Sequence, residues 1–364
     1  MKLRDLRTAA ATVAAVLLLS AGVSAAPSVS ARSAILMDAG SGRVLFEKDA
    51  DRKSLIASTT KIMTGLLVAE AGNLEDCVTV PQEAVGIEGS SLYLKAGEEL
   101  TVEQLLYGMM LRSGNDAAVA LAIVTSGSVE RFVEEMNRKA QELELTETHF
   151  ANPNGLDDEG NYSTARDLAK LAAFAMENQL FRRVVSTKSI SFGDRSVANH
   201  NKLLWQYEGA VGVKTGFTKA AGRLLVSAAE RDGRRLVAVT IHAPDDWADH
   251  RAMLDYGFSA FTPATLAAAG EGYGAAAVIG GTAMLARCRL AEGLVYPMLP
   301  DETARLRVCL PRFVWAPVTE GAPAGYVEAL VDGQPVGRAE LVWDGSVAPL
   351  PEKSGSILAR LFGG

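Results

Sequence analysis

The feature that most limits the fold is an interruption. Two short apolar β-type runs, Ser33 to Met37 and Arg43 to Phe46, flank Ala39-Gly40-Ser41-Gly42 and read as a β-hairpin. Three more runs, Ala210 to Phe217, Arg223 to Ala229 and Arg235 to His242, come only after a long stretch of helical periodicity. The last two are joined across Arg231-Asp232-Gly233. Two strands before a helical block and three after it predict one five-stranded, largely antiparallel sheet with the block inserted. The expected class is therefore α+β, with helices flanking the sheet.

The block can be read helix by helix. Ile62, Met63, Leu66, Leu67 and Val68 mark a helix that starts at Ser58 and stops at Ala71-Gly72-Asn73, a glycine-type end. Thr101-x-x-Gln104 opens a second in capping-box style, with Leu105, Leu106, Met109 and Met110 on its apolar face. It breaks at Arg112-Ser113-Gly114-Asn115. Ala117 to Val124 is apolar all round, which places that helix in the domain centre. Val129, Phe132, Val133, Met136, Ala140 and Leu143 trace an amphipathic helix. Asn152-Pro153-Asn154-Gly155-Leu156-Asp157 is a loop by its turn residues. Thr164-x-x-Asp167 caps the helix carrying Leu168, Leu171, Phe174 and Ala175, and Met253 to Phe258 closes the domain as a last helix.

Composition shifts near Thr262-Pro263. From 263 to 350, short β-type runs (Ala276–Ile279, Leu306–Leu310, Phe313–Val318, Tyr326–Val331, Ala339–Trp343) split by Gly, Pro and Asp predict a small all-β domain after a 27–262 domain. Residues 1–26 belong to neither. Lys2, Arg4 and Arg7, the apolar Ala9 to Ala21, and Val23-Ser24-Ala25 have the layout of a secretory signal peptide, too short in its apolar centre for a comfortable span. An exported, extracytoplasmic protein is expected. In the tail 351–364, Ser356 to Phe362 is mildly amphipathic and offers at most a weak peripheral membrane contact, a frayed end being the simpler expectation.

A formal net charge of −7 argues against a nucleic-acid partner or an anionic membrane held through bulk charge. Of the cysteines Cys77, Cys288 and Cys309, the last two could pair in an exported protein, but three buried free thiols are the plainer expectation. His242, Asp245, Asp246, Asp249 and His250 cluster in the chain without the spacing of a ligand signature. No metal or other cofactor is expected there, only a solvated acidic loop and a helix start.

Chemistry is suggested by three short motifs. Ser58 and Lys61 stand three apart at a helix start, on one face, where the amine can serve the hydroxyl as base. Alone the pattern proves nothing, since about one such match is expected by chance in a chain this long. Ser113-Gly114-Asn115 occupies a helix break, where polar side chains can either project into a cleft or simply cap the buried helix. Lys214-Thr215-Gly216 lies on a strand, where the glycine would let a ligand backbone approach and the lysine could equally be a solvated charge. Lys353-Ser354-Gly355 repeats the last pattern in the tail, without a flanking strand. Order, separation and setting together make the signal.

That combination resembles the penicillin-binding and serine β-lactamase superfamily, and within it the D-alanyl-D-alanine carboxypeptidases of low-molecular-weight penicillin-binding type. The resemblance runs from about Ser33 to Phe261 through Ala57-Ser58-Thr59-Thr60-Lys61-Ile62-Met63-Thr64, Leu105-Leu106-Tyr107-Gly108 with Ser113 to Ala118, Asn154 to Asp157 with Tyr162 to Asp167, Asn201 to Leu204, and Gly212 to Thr218. Two positions depart from it: Ile56 where a proline commonly stands, and Asn161 where a histidine usually does. The resemblance implies Ser58 as nucleophile, Lys61 as base and Ser113 as proton relay. It implies Asn115, Lys214, Thr215 and Gly216 as substrate-binding residues, Lys214 and Thr215 on the terminal carboxylate. The oxyanion hole would be the backbone N–H groups of Ser58 and Phe217. The implied partners are a peptidoglycan stem peptide ending in D-Ala-D-Ala and, as covalent inhibitors, β-lactams.

Three rivals share the motifs. A class A-type β-lactamase would need a deacylating glutamate loop, which is not evident, and commonly has Asp where Gly114 stands. An endopeptidase differs only by substrate. A non-catalytic penicillin-binding or wall-binding module would be favoured by loss of Ser58 or Lys61, and both are present.

Overall fold

The computed structural model describes residues 25–351. Most of the 1–26 signal-peptide segment and the tail beyond Pro351, with Lys353-Ser354-Gly355, lie outside the described residues. Among the described residues, no helix is long and apolar enough to cross a membrane.

In chain order come β1 (Ser33–Asp38), β2 (Val44–Lys48), β3 (Ser54–Leu55), a 3-10 turn over Ala57–Thr60, and α1 (Lys61–Ala71). β4 (Cys77–Thr79) and β5 (Glu99–Thr101) precede α2 (Val102–Arg112), α3 (Asn115–Ser126) and α4 (Val129–Glu142). β6 (Tyr162–Ser163), α5 (Ala165–Ala175), α6 (Gln179–Ser186), β7 (Ser189–Phe192), β8 (Arg195–Ala198) and α7 (Leu203–Gln206) complete the inserted block. β9 (Ala210–Thr218), β10 (Gly222–Arg231), β11 (Arg234–Ile241) and α8 (Asp246–Ala260) close the first domain.

The five-stranded sheet has the order β2-β1-β11-β10-β9, with every neighbouring pair antiparallel. The first hairpin thus pairs with the last strands across the inserted block, Ile35 opposite Val239 and Leu36 opposite Ala238. Strand residues alternate between two cores. Ile35, Met37, Val226, Val237 and Val239 face the helical block, while Ala34, Leu36, Leu225, Leu236 and Ala238 face α8 through Met253 and Leu254. Burial on both faces explains why these strands read as continuous apolar runs.

The capping readings at α2 and α5 correspond to real bonds. Thr101 Oγ1 accepts from Gln104 N while Gln104 Oε1 accepts from Thr101 N, and Thr164 Oγ1 accepts from Asp167 N. Phe174 departs from its expected core face. It is exposed, with the Lys139 ammonium 6.0 Å from its ring.

Beyond α8 the chain is all β: β12 (Thr262–Ala267), β13 (Gly272–Ile279), β14 (Leu285–Leu290), β15 (Leu294–Met298), β16 (Ala304–Cys309), β17 (Phe313–Trp315), β18 (Pro323–Val331) and β19 (Gln334–Trp343). Six form a sheet of order β16-β18-β19-β14-β13-β17, and β12 pairs with β15. Their core, including Ala276, Cys288, Leu290, Val327, Leu341 and Trp343, is separate from the first two. Arg43 spans the two parts. Its guanidinium pairs with Glu302, bonds the Pro297 carbonyl, and lies 5.0 Å from the rings of both Phe261 and Tyr296.

Two sequence expectations fail here. The 242–250 stretch is not a solvated acidic loop. Asp249 is buried and accepts from Ser30 N, Ser30 Oγ and Ala31 N, so it ties the start of the described chain to α8. His250 is wholly buried between Ser227 Oγ at 2.6 Å and Thr240 Oγ1 at 3.0 Å, and burial pushes its imidazole down to about 3. The cysteines are all free, which removes the Cys288–Cys309 pairing, but only Cys288 is buried and Cys77 is exposed.

Candidate active site

Ser58 lies in the 3-10 turn that leads into α1, not in the α-helix itself. In a 3-10 turn residues three apart eclipse, which stacks the Lys61 amine directly on the Ser58 hydroxyl. Nζ and Oγ are 3.1 Å apart. Ala57, immediately before the serine, is held at φ +44°, in the left-handed region that L-residues avoid. Backbone strain beside a reactive side chain is where functional sites store it.

Lys61 is fully buried, and its other partners are acceptors only: Asn115 Oδ1 at 2.7 Å and the Asn154 carbonyl. Burial, followed by the positive charge of Lys214, pushes its pKa well below the ordinary lysine value, and Asp116 pulls weakly the other way. A neutral amine has two hydrogens and one lone pair. In that neutral form, with both hydrogens given to Asn115 and Asn154, the lone pair would face the Ser58 hydroxyl. That is the arrangement a general base requires.

The Asn154 carbonyl comes from the 152–157 loop, whose role the sequence did not reveal. Asn152 Oδ1 accepts from Gly155 N and Asn154 Oδ1 from Leu156 N, turns expected of asparagine. Thr64 Oγ1 donates to the Pro153 carbonyl at 2.6 Å, fastening the loop to α1. Gly155 has φ +84°, and a Cβ there would stand 1.9 Å from the Ala57 carbonyl oxygen. Only glycine fits. Asn161, one of the two departures, is buried and donates to Thr60 Oγ1 at 3.0 Å, so it supports the turn from behind.

Ser113 ends α2 in a left-handed conformation at φ +65°, and Gly114 begins α3 without a side-chain cap. Neither Ser113 nor Asn115 therefore spends its side chain on capping. Ser113 lines the same cleft as Ser58. Asn115 bridges inward, accepting from Lys61 and donating through Nδ2 to the Glu88 carbonyl at 2.6 Å, which leaves one amide hydrogen for a ligand. Asp116 accepts from Leu92 N, Leu94 N and Ser91 Oγ, holding the loop that brings Ser90 into the cleft.

Strand β9 forms the opposite wall. Lys214 is buried at 1% exposure beneath the surface, with Nζ donating to the Thr215 carbonyl at 3.0 Å, and burial pushes its pKa down to about 7. Thr215, Gly216 and Phe217 line the cleft. Gly216 lies tight against the serine turn, since a Cβ there would come 3.3 Å from Thr59 N and 3.4 Å from Ala57 Cβ. Its bareness lets β9 lie against the 3-10 turn that carries Ser58.

The cleft is about 470 Å³ and also has His200, Lys202, Arg223, Asp246 and Trp247 on its walls. None was singled out as a site residue from the sequence, although Lys202 lies in the Asn201 to Leu204 segment. Among the described residues, no group of three or more His, Cys, Asp or Glu side chains is placed to hold a metal ion.

Comparison with known proteins gives a consistent picture. The peptidase S11 model, described as D-alanyl-D-alanine carboxypeptidase, matches residues 21–245. The chain is 38% identical over 244 residues to the D-alanyl-D-alanine carboxypeptidase DacF of Bacillus subtilis, covering 64% of this chain and 63% of that one. It is 40% identical over 256 residues to DacC of Escherichia coli, covering 66% and 64%. The chain thus spans slightly under two thirds of the length of these two relatives. Penicillin-binding protein 5 from Haemophilus influenzae superposes with a TM-score of 0.79 at 30% identity, over 89% of this chain and 99% of that one. The Streptomyces K15 DD-transpeptidase superposes with a TM-score of 0.63 at 36% identity, over 65% of this chain and 100% of that one. With the family model matching more than half of its length, the chain belongs to the D-alanyl-D-alanine carboxypeptidase family, peptidase S11.

Proposed function

We propose that the protein is a serine D-Ala-D-Ala carboxypeptidase that removes the terminal D-alanine from peptidoglycan stem peptides through an acyl-enzyme on Ser58. One observation carries the reading: a fully buried lysine amine held by the Asn115 side chain and the Asn154 carbonyl, 3.1 Å from the Ser58 hydroxyl. Ser58 Oγ attacks the carbonyl of the penultimate D-Ala as its proton passes to Lys61 Nζ. The tetrahedral oxyanion is taken by the N–H groups of Ser58 and Phe217. The C–N bond then breaks, and the proton reaches the departing D-alanine nitrogen through Ser113. Water, deprotonated by the same lysine, hydrolyses the ester and releases the shortened peptide. Asn115 holds Lys61 and offers its remaining N–H to the substrate amide. Thr215 and Gly216 border the site of the terminal residue, while burial and, after it, the positive charge of Lys214 favour the neutral form of Lys61. β-Lactams fit the same geometry, since they present a strained amide beside a carboxylate.

A signal peptide over residues 1–26 would bring the enzyme to its wall substrate. On this reading 27–262 is the catalytic unit, 263–350 an all-β unit that supports it, and the tail after 351 a weak membrane contact at most. The test is release of free D-alanine from a pentapeptide ending in D-Ala-D-Ala. The wild-type protein should release it and Ser58→Ala should not. Absence of release by wild type, or equal release by both, contradicts the reading.

A further inference from the structure

We infer that Asp157 and Thr218 are positioning residues for acyl transfer: the bond between their side chains ties the loop that holds the base, Lys61, to the strand that carries the Phe217 N–H. The inference rests on the carboxypeptidase reading above.

The two halves of that machinery come from distant parts of the chain. On one side the 152–157 loop gives the Asn154 carbonyl to Lys61 Nζ. On the other, β9 lays Thr215, Gly216 and Phe217 along the cleft. β9 ends the sheet order β2-β1-β11-β10-β9, so a strand ladder holds only one of its edges. It meets the serine turn through the close approach at Gly216, a packing contact without direction. Reacting groups must be held to within about 0.5 Å, which one such contact does not supply.

Thr218 supplies the direction. It is the last residue of β9, directly after Phe217. Its Oγ1 accepts from Ala221 N at 3.0 Å, so the one hydroxyl hydrogen is free to go to Asp157 Oδ1, at 2.8 Å. Asp157 ends a loop that is fastened along its length. Thr64 Oγ1 holds the Pro153 carbonyl, Asn154 Oδ1 accepts from Leu156 N, and Asn152 Nδ2 donates to the Leu156 carbonyl. A shift of β9 at Phe217 thus reaches the Asn154 carbonyl through hydrogen bonds and a few constrained backbone steps. The fold itself asks little of the pair. Asp157 is exposed and Thr218 half-buried, a setting where substitutions barely change stability.

The test measures kcat and KM for D-alanine release from a peptide ending in D-Ala-D-Ala. Asp157→Ala and Thr218→Val should each lower kcat by about 3–10-fold, the scale of one hydrogen bond, with KM within about twofold of wild type and the melting temperature close to it. Asp157→Asn keeps the acceptor and Thr218→Ser the hydroxyl, so each should restore most of the rate. Asp157→Ala/Thr218→Val should fall no further than the worse single variant, because both changes break the same bond. An unchanged kcat in either single variant, a loss confined to KM, losses that multiply in the double variant, or no recovery in the two conservative variants overturns the inference while the wild type still releases D-alanine. A wild type that releases none and takes no label from penicillin on Ser58 overturns the carboxypeptidase reading, and this inference with it.

Discussion

Ser58 Oγ and Lys61 Nζ face each other at 3.1 Å across one 3-10 step, with the lysine closed off from solvent. An ammonium in that position would be desolvated and would face a second buried amine, Lys214. The amine therefore gives up its proton far more readily than a surface lysine. The lowered pKa of Lys61 follows from burial first and repulsion by Lys214 second, not from the motif as such.

The pH dependence of acylation should report this pair. The rate rises as Lys61 loses its proton, so its acid limb lies well below the ordinary lysine value of 10.5. Lys214→Met removes the repelling charge, raises the Lys61 pKa and moves the limb to higher pH. Asp116→Asn removes an influence that raises the Lys61 pKa and moves the limb to lower pH. Profiles of penicillin acylation for the three proteins check both signs.

The same burial should cost stability. Lys214 has a pKa of about 7 in the folded chain against 10.5 as its ordinary value. Between these values the unfolded chain binds more protons, so wild-type stability rises with pH across that window and the penalty is full below it. Lys214→Met should stabilise the protein by about 1–2 kcal/mol at pH 6 while slowing acylation at neutral pH, the trade expected of a strained functional group. Its advantage should shrink as pH approaches 10. Denaturant melts at the two pH values measure it.

Gly155→Ala is expected to damage both fold and site. The added Cβ meets backbone, the Ala57 carbonyl at 1.9 Å, and cannot be relieved by a rotamer change. The positive φ alone costs about 1–3 kcal/mol in an L-residue. Displacing the loop takes the Asn154 carbonyl from Lys61, so acylation should fall at least about tenfold, within the range for a general base. A near-normal melting temperature and rate would contradict this account of the loop.

Arg43→Ala probes the join between the two parts. It leaves Glu302, at 13% side-chain exposure, without its partner and uncovers Phe261 and Tyr296. A loss of about 2–3 kcal/mol is expected, seen as an early calorimetric transition or as faster proteolysis after residue 262. Penicillin acylation should stay within about twofold of wild type. The site lies on other elements.

What could be read in the sequence was local. Ser58 with Lys61, and Ser113 with Asn115, announce themselves because a few adjacent residues carry both the chemistry and the turn that presents it. The five strands were legible because burial on both faces leaves unbroken apolar runs such as Leu236 to Val239. The Asn154 carbonyl was not, since a backbone acceptor has no residue signature. Arg223 and Asp246 meet only when β10 and α8 pack together, and in sequence the aspartate looked like part of a solvated loop. β14 was missed because Arg287 and Arg289 interrupt its apolar pattern, and β15 because it contains Pro297.

The most direct test is intact-mass analysis of the protein after incubation with a penicillin, for wild type and Ser58→Ala, with peptide mapping of the adduct. The account predicts one penicilloyl group per wild-type chain, located on Ser58, persisting over minutes and absent from the variant. An adduct that survives Ser58→Ala, or rapid turnover of the drug with no lasting adduct, would contradict it.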